Sequence, residues 1–239
     1  MTRRRAKNPD EPVTLTRHLE ELRERVLKSV LAVVISAFVV YGFVDKIYES
    51  LVVPVGRLVF IAPQEAFVTR IKIAFFGGLF LALPILLYQI WKFISVGLKR
   101  SEIKYTLLFG PLSFIFFTVG AIFGYALIVP IGIKFLLGFA TDEIVPMISM
   151  SKYISFVAML TMAFGMVFEL PLASLFLTKI GVVTPRFLSQ KRKHAIVVIF
   201  IAAAVLTPPD VITQTLMAVP LLILYEIGII FSKIVHKPR

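Results

Sequence analysis

Long apolar runs, separated by short polar, charged or Pro- and Gly-containing breaks, dominate the chain. A helix that crosses a bilayer needs about 20 mostly apolar residues. Six runs approach that length, at residues 26–44, 68–91, 105–129, 153–178, 194–206 and 211–231. The pattern predicts an all-α, polytopic membrane protein with six transmembrane helices, built as a single integral membrane domain over residues 1–239. Ahead of the first run, Leu15, Leu19, Leu22 and Val26 recur at helical spacing, and Thr14 or Thr16 can cap the start. An amphipathic segment over about 13–28 therefore leads into the first span. Two connections, about 45–67 and 130–152, are too long for turns and carry apolar residues such as Leu58, Phe60, Phe135 and Phe139. They read as short amphipathic pieces packed on one face of the bundle.

The last two spans read as short. Residues 195–206 precede a Thr207-Pro208-Pro209-Asp210 turn, and such a helix reaches only about 18 Å against a hydrocarbon core of about 30 Å. Two readings stay open: a shallow hairpin held by its neighbours, or a deliberate local thinning of the bilayer. Gly78 precedes Pro84, and Gly165 precedes Pro171, at the same spacing in spans two and four. That similarity fits either a parallel repeat or shared helix-kink chemistry.

Composition agrees with the pattern. The chain is 58% hydrophobic and 17% charged, with mean hydropathy +0.90, whereas soluble domains carry about 25% charged residues. No stretch reads as a detachable signal peptide. With no cysteine, disulfides and thiol chemistry are excluded. The net charge of +12 invites a nucleic-acid reading, but the cations sit where a membrane protein would place them. Segments 1–28, 92–104, 179–193 and 233–239 hold 20 Lys and Arg, against 6 in the alternate set. The positive-inside rule then gives cytoplasmic N- and C-termini and no call for nucleic acid.

Charges inside or against the membrane are the informative exceptions. Glu169 falls near mid-membrane in span four, where an acid is costly and normally faces a bundle interior or wet cavity. It is either a structural hydrogen-bonding group or a site for a polar partner. Thr213, Gln214 and Thr215 open span six and can bond across helices or to a partner. Glu226 reads as a paired structural charge. In HLEELRERV (18–26), Glu21 with Arg25 and Glu24 with Lys28 are spaced to support a helix. Yet acids beside an anionic leaflet are unfavourable. Together with Glu102 in the next basic segment, they suit a dock for a cationic ligand, above all an arginine pair.

The stretches HLEELR (18–23), LPILLYQIWKFI (83–94), SE (101–102), FGMVFELP (164–171), LTPPD (206–210) and QTLMAVPLLILYEIG (214–228) together resemble the TatC family. That family is the multispanning core of the twin-arginine protein translocase. The resemblance implies a receptor and scaffold in the cytoplasmic membrane of a prokaryote. It would bind twin-arginine signal peptides of folded cargo at the cytoplasmic face. It would also associate with itself and with TatA-type and TatB-type single-span proteins, and export would draw on the proton-motive force. By motif, Glu21 and Glu102 would meet the arginine pair, with Arg23 and Phe93 in support. Glu169 would be the intramembrane polar position, and Thr207, Asp210 and Gln214 would lie where partner helices meet the last two spans. Lys99, Ile103 and Glu20 depart from the commoner family pattern around these positions.

Other function classes find less support. A solute transporter calls for several polar groups at mid-depth, and only Glu169 stands there clearly. An enzyme is not indicated: His18, His194 and His236 all lie at flanks, and no HExxH, GxSxG or nucleotide-binding pattern occurs. No cofactor or metal is implied.

Overall fold

A computed structural model describes residues 15–56, 58–98, 100–141, 146–206 and 211–236, without the side chains at 15, 17, 100–102 and 104–107. The described residues form helices α1 (Leu15–Tyr41), α2 (Val44–Val52), α3 (Glu65–Val96), α4 (Arg100–Phe123), α5 (Val129–Leu137), α6 (Met150–Lys179), α7 (Pro185–Gln190), α8 (Arg192–Leu206) and α9 (Val211–Val235). Between α4 and α5 lies a π-helical turn, Gly124–Ile128. Among the described residues the only β-type pairing is one isolated parallel bridge, Val59 with Ser149. Among the described residues, four continuous helical stretches are long and apolar enough to cross a membrane: Glu65–Val96, Leu108–Leu137, Met150–Lys179 and Val211–Val235. The α1–α2 pair, bent by 76°, makes a fifth if counted as one span.

Several boundaries differ from the sequence reading for physical reasons. The amphipathic segment runs on into the first span as one helix, α1, and the difference lies at its end: it stops at Tyr41 rather than 44, before the bend at Gly42 and Phe43. The third span does not end at Pro130. The π-turn just before it carries the helix on into α5, so that Leu108–Leu137 is a single 30-residue run. The expectation that the last two helices are short holds for α8, whose 15 residues reach about 22 Å. It fails for α9, whose 25 residues reach about 37 Å. There the helix continues because Ser232 is fully buried, its hydroxyl 2.6 Å from that of Thr178 on α6.

Helix α6 is central and packs on α3, α4 and α9, while α1 lies along α3 and α8 along α9. Its core residues Ile154, Leu160, Phe164 and Leu172 are almost fully buried. Close crossings hold the bundle together. A Cβ on Gly78 would stand 2.5 Å from the Ala37 Cα, and one on Gly120 would stand 2.5 Å from the Phe164 carbonyl oxygen. These glycines let α1 meet α3, and α4 meet α6, at backbone distance. Gly165, the counterpart of Gly78 in the sequence, faces the Phe117 ring instead. The two Gly–Pro spacings thus do comparable packing jobs against unlike neighbours.

The two long connections meet at the end of the bundle where α3 and α6 begin. Val59 N donates to Ile148 O at 3.0 Å, and Met150 N to Val59 O at 2.9 Å. Glu65, buried at the start of α3, accepts from Ile61 N at 2.7 Å, from Ser151 N at 2.8 Å and from the Ser149 hydroxyl. Lys72 donates to Ser151 and Ser155, and Tyr153 donates to Leu51 O at 2.7 Å. These bonds staple the amphipathic pieces to the bundle, as expected of packed rather than independent segments.

The close α1–α3 crossing leads to a stability prediction. Gly78→Val should lower unfolding stability in detergent by about 2 kcal/mol, read from the fluorescence of Trp91, the sole tryptophan. Gly97→Ala, where a Cβ meets nothing nearer than 3.8 Å, should stay within about 0.5 kcal/mol. Similar losses at both positions would remove the crossing from its proposed place in the stability of the bundle.

Candidate functional site

The other end of the bundle is basic. It gathers the start of α1, the ends of α3 and α6, the start of α4, and α7 with the end of α9. The apolar stripe of α1 faces outward, with Leu19, Leu22 and Val26 exposed, and the other side of the helix turns toward α3, so that Arg25 is largely buried and Glu21 half-buried. Arg25 donates to Glu21 Oε1 through Nε at 2.8 Å and through a second guanidinium nitrogen. Its remaining terminal nitrogen donates to Gln89 Oε1 of α3 at 3.0 Å, and Gln89 is itself buried. The carboxylate is therefore fixed by a guanidinium that is fixed by a buried amide. Glu24 pairs with Lys28 on the exposed side of the same helix, the local support its spacing predicts.

Phe93 is half-buried, with its ring 4.5 Å from that of His18. Arg23 is exposed on α1. Glu102 belongs by backbone to the first turn of α4, but its side chain lies outside the described residues, as do Thr207 and Asp210 altogether. The structure thus joins Glu21 and Phe93 to neighbours on α1 and α3. It gives no side-chain distance for Glu102.

Deeper in the bundle, Trp91 packs its ring on Phe109 at 5.3 Å and Phe176 at 4.8 Å. Its indole Nε1 donates to the buried Ser113 hydroxyl at 2.9 Å. That hydroxyl stands beside the Glu169 carboxyl. Glu169 lies ten residues before Lys179 in α6, about 15 Å along the helix. Among the described residues its buried Oε1 has no hydrogen-bond partner. Indole, hydroxyl and carboxyl, from α3, α4 and α6, thus form a polar line through an apolar interior. A groove of about 520 Å³ between α3 and α4, lined by Tyr88, Trp91, Lys92, Ser95 and Ile103 among others, reaches in as far as this tryptophan.

At the start of α9, Gln214 Nε2 donates to Phe200 O of α8 at 3.0 Å. Thr213 is buried, and the exposed Thr215 hydroxyl donates to Val211 O. Gln214 therefore ties the last two helices together, one of the two roles the sequence left open. Glu226 accepts from Arg192 twice, at 2.7 and 2.8 Å, and is the paired charge expected. Sequence reasoning missed His18, Gln89, Trp91 and Ser113 as site neighbours. The first three lie inside the distinctive stretches HLEELR and LPILLYQIWKFI, and Ser113 is one of few hydroxyls in an apolar run.

Known proteins share this sequence and architecture. The family model described as Sec-independent protein translocase protein (TatC) matches residues 17–220. A Sec-independent protein translocase protein TatC from Carboxydothermus hydrogenoformans is 46% identical over 235 residues, covering 96% of this chain and 96% of its own length. One from Desulforapulum autotrophicum is 41% identical over 246 residues, covering 100% of this chain and 89% of its own. A crystal structure of a twin arginine translocase receptor, TatC, superposes with a TM-score of 0.84 at 38% identity, covering 91% of this chain and 99% of that one. With a family match over most of its length and relatives alike along almost all of it, the chain belongs to the TatC family of Sec-independent protein translocase proteins.

Proposed function

We propose that the chain is the receptor and scaffold of a twin-arginine translocase, acting by binding rather than by bond chemistry. The observation that carries this reading is the half-buried Glu21 carboxylate, held in place by Arg25 and Gln89 on a face where cations outnumber acids. A fixed, partly desolvated carboxylate favours a planar guanidinium, which can bond it in two places, over a hydrated ammonium. Glu102 supplies the second carboxylate for an arginine pair. Arg23 and the Phe93 ring, backed by His18, border the same site. Signal peptides of folded cargo bind there.

In this reading six helices cross the cytoplasmic membrane of a prokaryote, with α1 and α8 as the first and fifth spans. Both termini and the basic end are cytoplasmic. The cation bias between alternate segments supports that orientation. The 15-residue α8 calls for a locally thin bilayer. Glu169 is the intramembrane position that a translocating segment or partner group meets, and its unpartnered buried oxygen supports that role. Thr207, Asp210 and Gln214 lie where TatA-type and TatB-type helices join. An apolar groove of about 600 Å³ beside the start of α9, lined by Phe123, Leu127, Phe156, Val211 and Leu216 among others, suits a single-span partner. The assembly contains several copies of the chain and draws on the proton-motive force.

The test is a titration of a twin-arginine signal peptide, and its twin-lysine version, against the protein in nanodiscs. Wild type should prefer twin arginine, and Glu102→Gln should weaken that peptide by at least about tenfold. Glu24→Gln should change it by less than about twofold. Equal effects of the two substitutions would defeat the site assignment.

Glu169→Ala separates recognition from transport. Export of a folded reporter should be lost, while peptide affinity stays within about threefold of wild type. A binding defect as large as that of Glu102→Gln would place Glu169 in recognition instead.

A further inference from the structure

We propose that the basic end also holds an anionic phospholipid headgroup, in a pocket between α7 and the end of α9. The proposal is independent of peptide binding at Glu21. The pocket has a volume of about 410 Å³ and is lined by Thr184, Pro185, Arg186, Ser189, Lys233 and His236. Two permanent cations, an imidazole and two hydroxyls converge there, and no acid is among the lining residues. The acid nearest in sequence on α9, Glu226, is already engaged by Arg192.

The pocket is built rather than incidental. After α6 the chain reverses through Gly181, whose φ of +77° suits a residue without a Cβ. Val182 N closes this turn on Leu177 O at 2.9 Å. Thr184 then caps α7 by accepting from Phe187 N at 3.2 Å. The Tyr225 hydroxyl donates to Leu188 O at 2.8 Å and pins α7 to α9. The buried Thr178–Ser232 contact pins α6 to α9 one residue before Lys233. Arg186 and Lys233 are thereby held on separate elements around one space.

Its surroundings select a lipid over a soluble anion. Next to the cations in sequence stand Phe187, 50% exposed, and Ile234, 75% exposed, with Val182, 67% exposed, on the adjoining turn. Apolar side chains turned outward beside cations at the end of a membrane-spanning helix match the boundary between acyl chains and headgroups. Basic pockets between helices at this depth suit acidic headgroups, each cation adding attraction at the membrane surface. The ligand class is a phosphodiester lipid of net negative charge, such as phosphatidylglycerol.

The test counts and titrates lipids bound to the purified protein by native mass spectrometry, with phosphatidylglycerol and phosphatidylcholine as probes. Wild type should prefer phosphatidylglycerol. Arg186→Gln with Lys233→Gln should weaken it by about thirtyfold. Lys191→Gln with Lys193→Gln, which removes the same charge from the same face outside the pocket, should change it by no more than about twofold. Equal losses in the two double variants would overturn the proposal. So would displacement of the lipid by inorganic phosphate at matched concentration, which would assign the pocket to a soluble anion. A photoactivatable phosphatidylglycerol on the unaltered protein gives an independent reading. Crosslinks at 184–189 and 233–236 would support the site, and crosslinks confined elsewhere would overturn it.

Discussion

Lipid tails are as apolar as leucine, so transmembrane helices gain little from the hydrophobic effect when they associate. The bundle depends instead on backbones approaching closely enough for dispersion to act. At Gly78 against Ala37, and at Gly120 against Phe164, there is no room for a side chain. These two crossings seat α1 on α3 and α4 on α6. They thereby set where Glu21 stands relative to Gln89, and where Ser113 stands relative to Glu169.

Polar contacts then lock the ends of a frame set by shape. At one end Glu65 and Tyr153 hold the long connections to the bundle, and Lys72 ties α3 to the start of α6. At the other, Arg25–Gln89, Arg192–Glu226 and Tyr225–Leu188 each join two elements. Between them the interior is almost wholly apolar, and the Trp91–Ser113–Glu169 line is its conspicuous exception. In such surroundings a polar group keeps its place only if neighbours from several helices agree on it. A change in the α3–α4 groove that shifts the indole therefore reaches the carboxyl through one hydroxyl.

Much of this was legible in the residues. The stripe Leu15–Leu19–Leu22–Val26 announced α1, and the apolar runs announced α3, α6 and α9, because periodicity and run length depend on local sequence alone. The salt pairs within HLEELRERV and the tied charge of Glu226 were also readable. Pro130 misled because a π-turn absorbs it, and Ser232 misled because burial against Thr178 overrides its polarity. Helix rotation was hidden as well. Nothing local says that Gln89 faces Arg25, or that Trp91 faces Ser113, since each pairing joins residues on different helices. Gln214 shows the converse: its type and place were informative, but only the structure gives it a bond to the Phe200 carbonyl.

The Arg25–Glu21 contact has a consequence for how the proposed site would operate. The site already contains, within its own chain, the chemical group it would receive from outside. The described Arg25 bonds engage a single carboxylate oxygen, Oε1, so an incoming arginine at Glu21 would share the carboxylate with a resident guanidinium. Repulsion between the two cations would make the net free energy smaller than that of an unshared pair. On release, Arg25 would still hold the carboxylate, so no bare charge would be stranded in a partly dry setting. Such sharing favours rapid turnover over long residence, which suits a receptor that must give up each passenger before accepting the next.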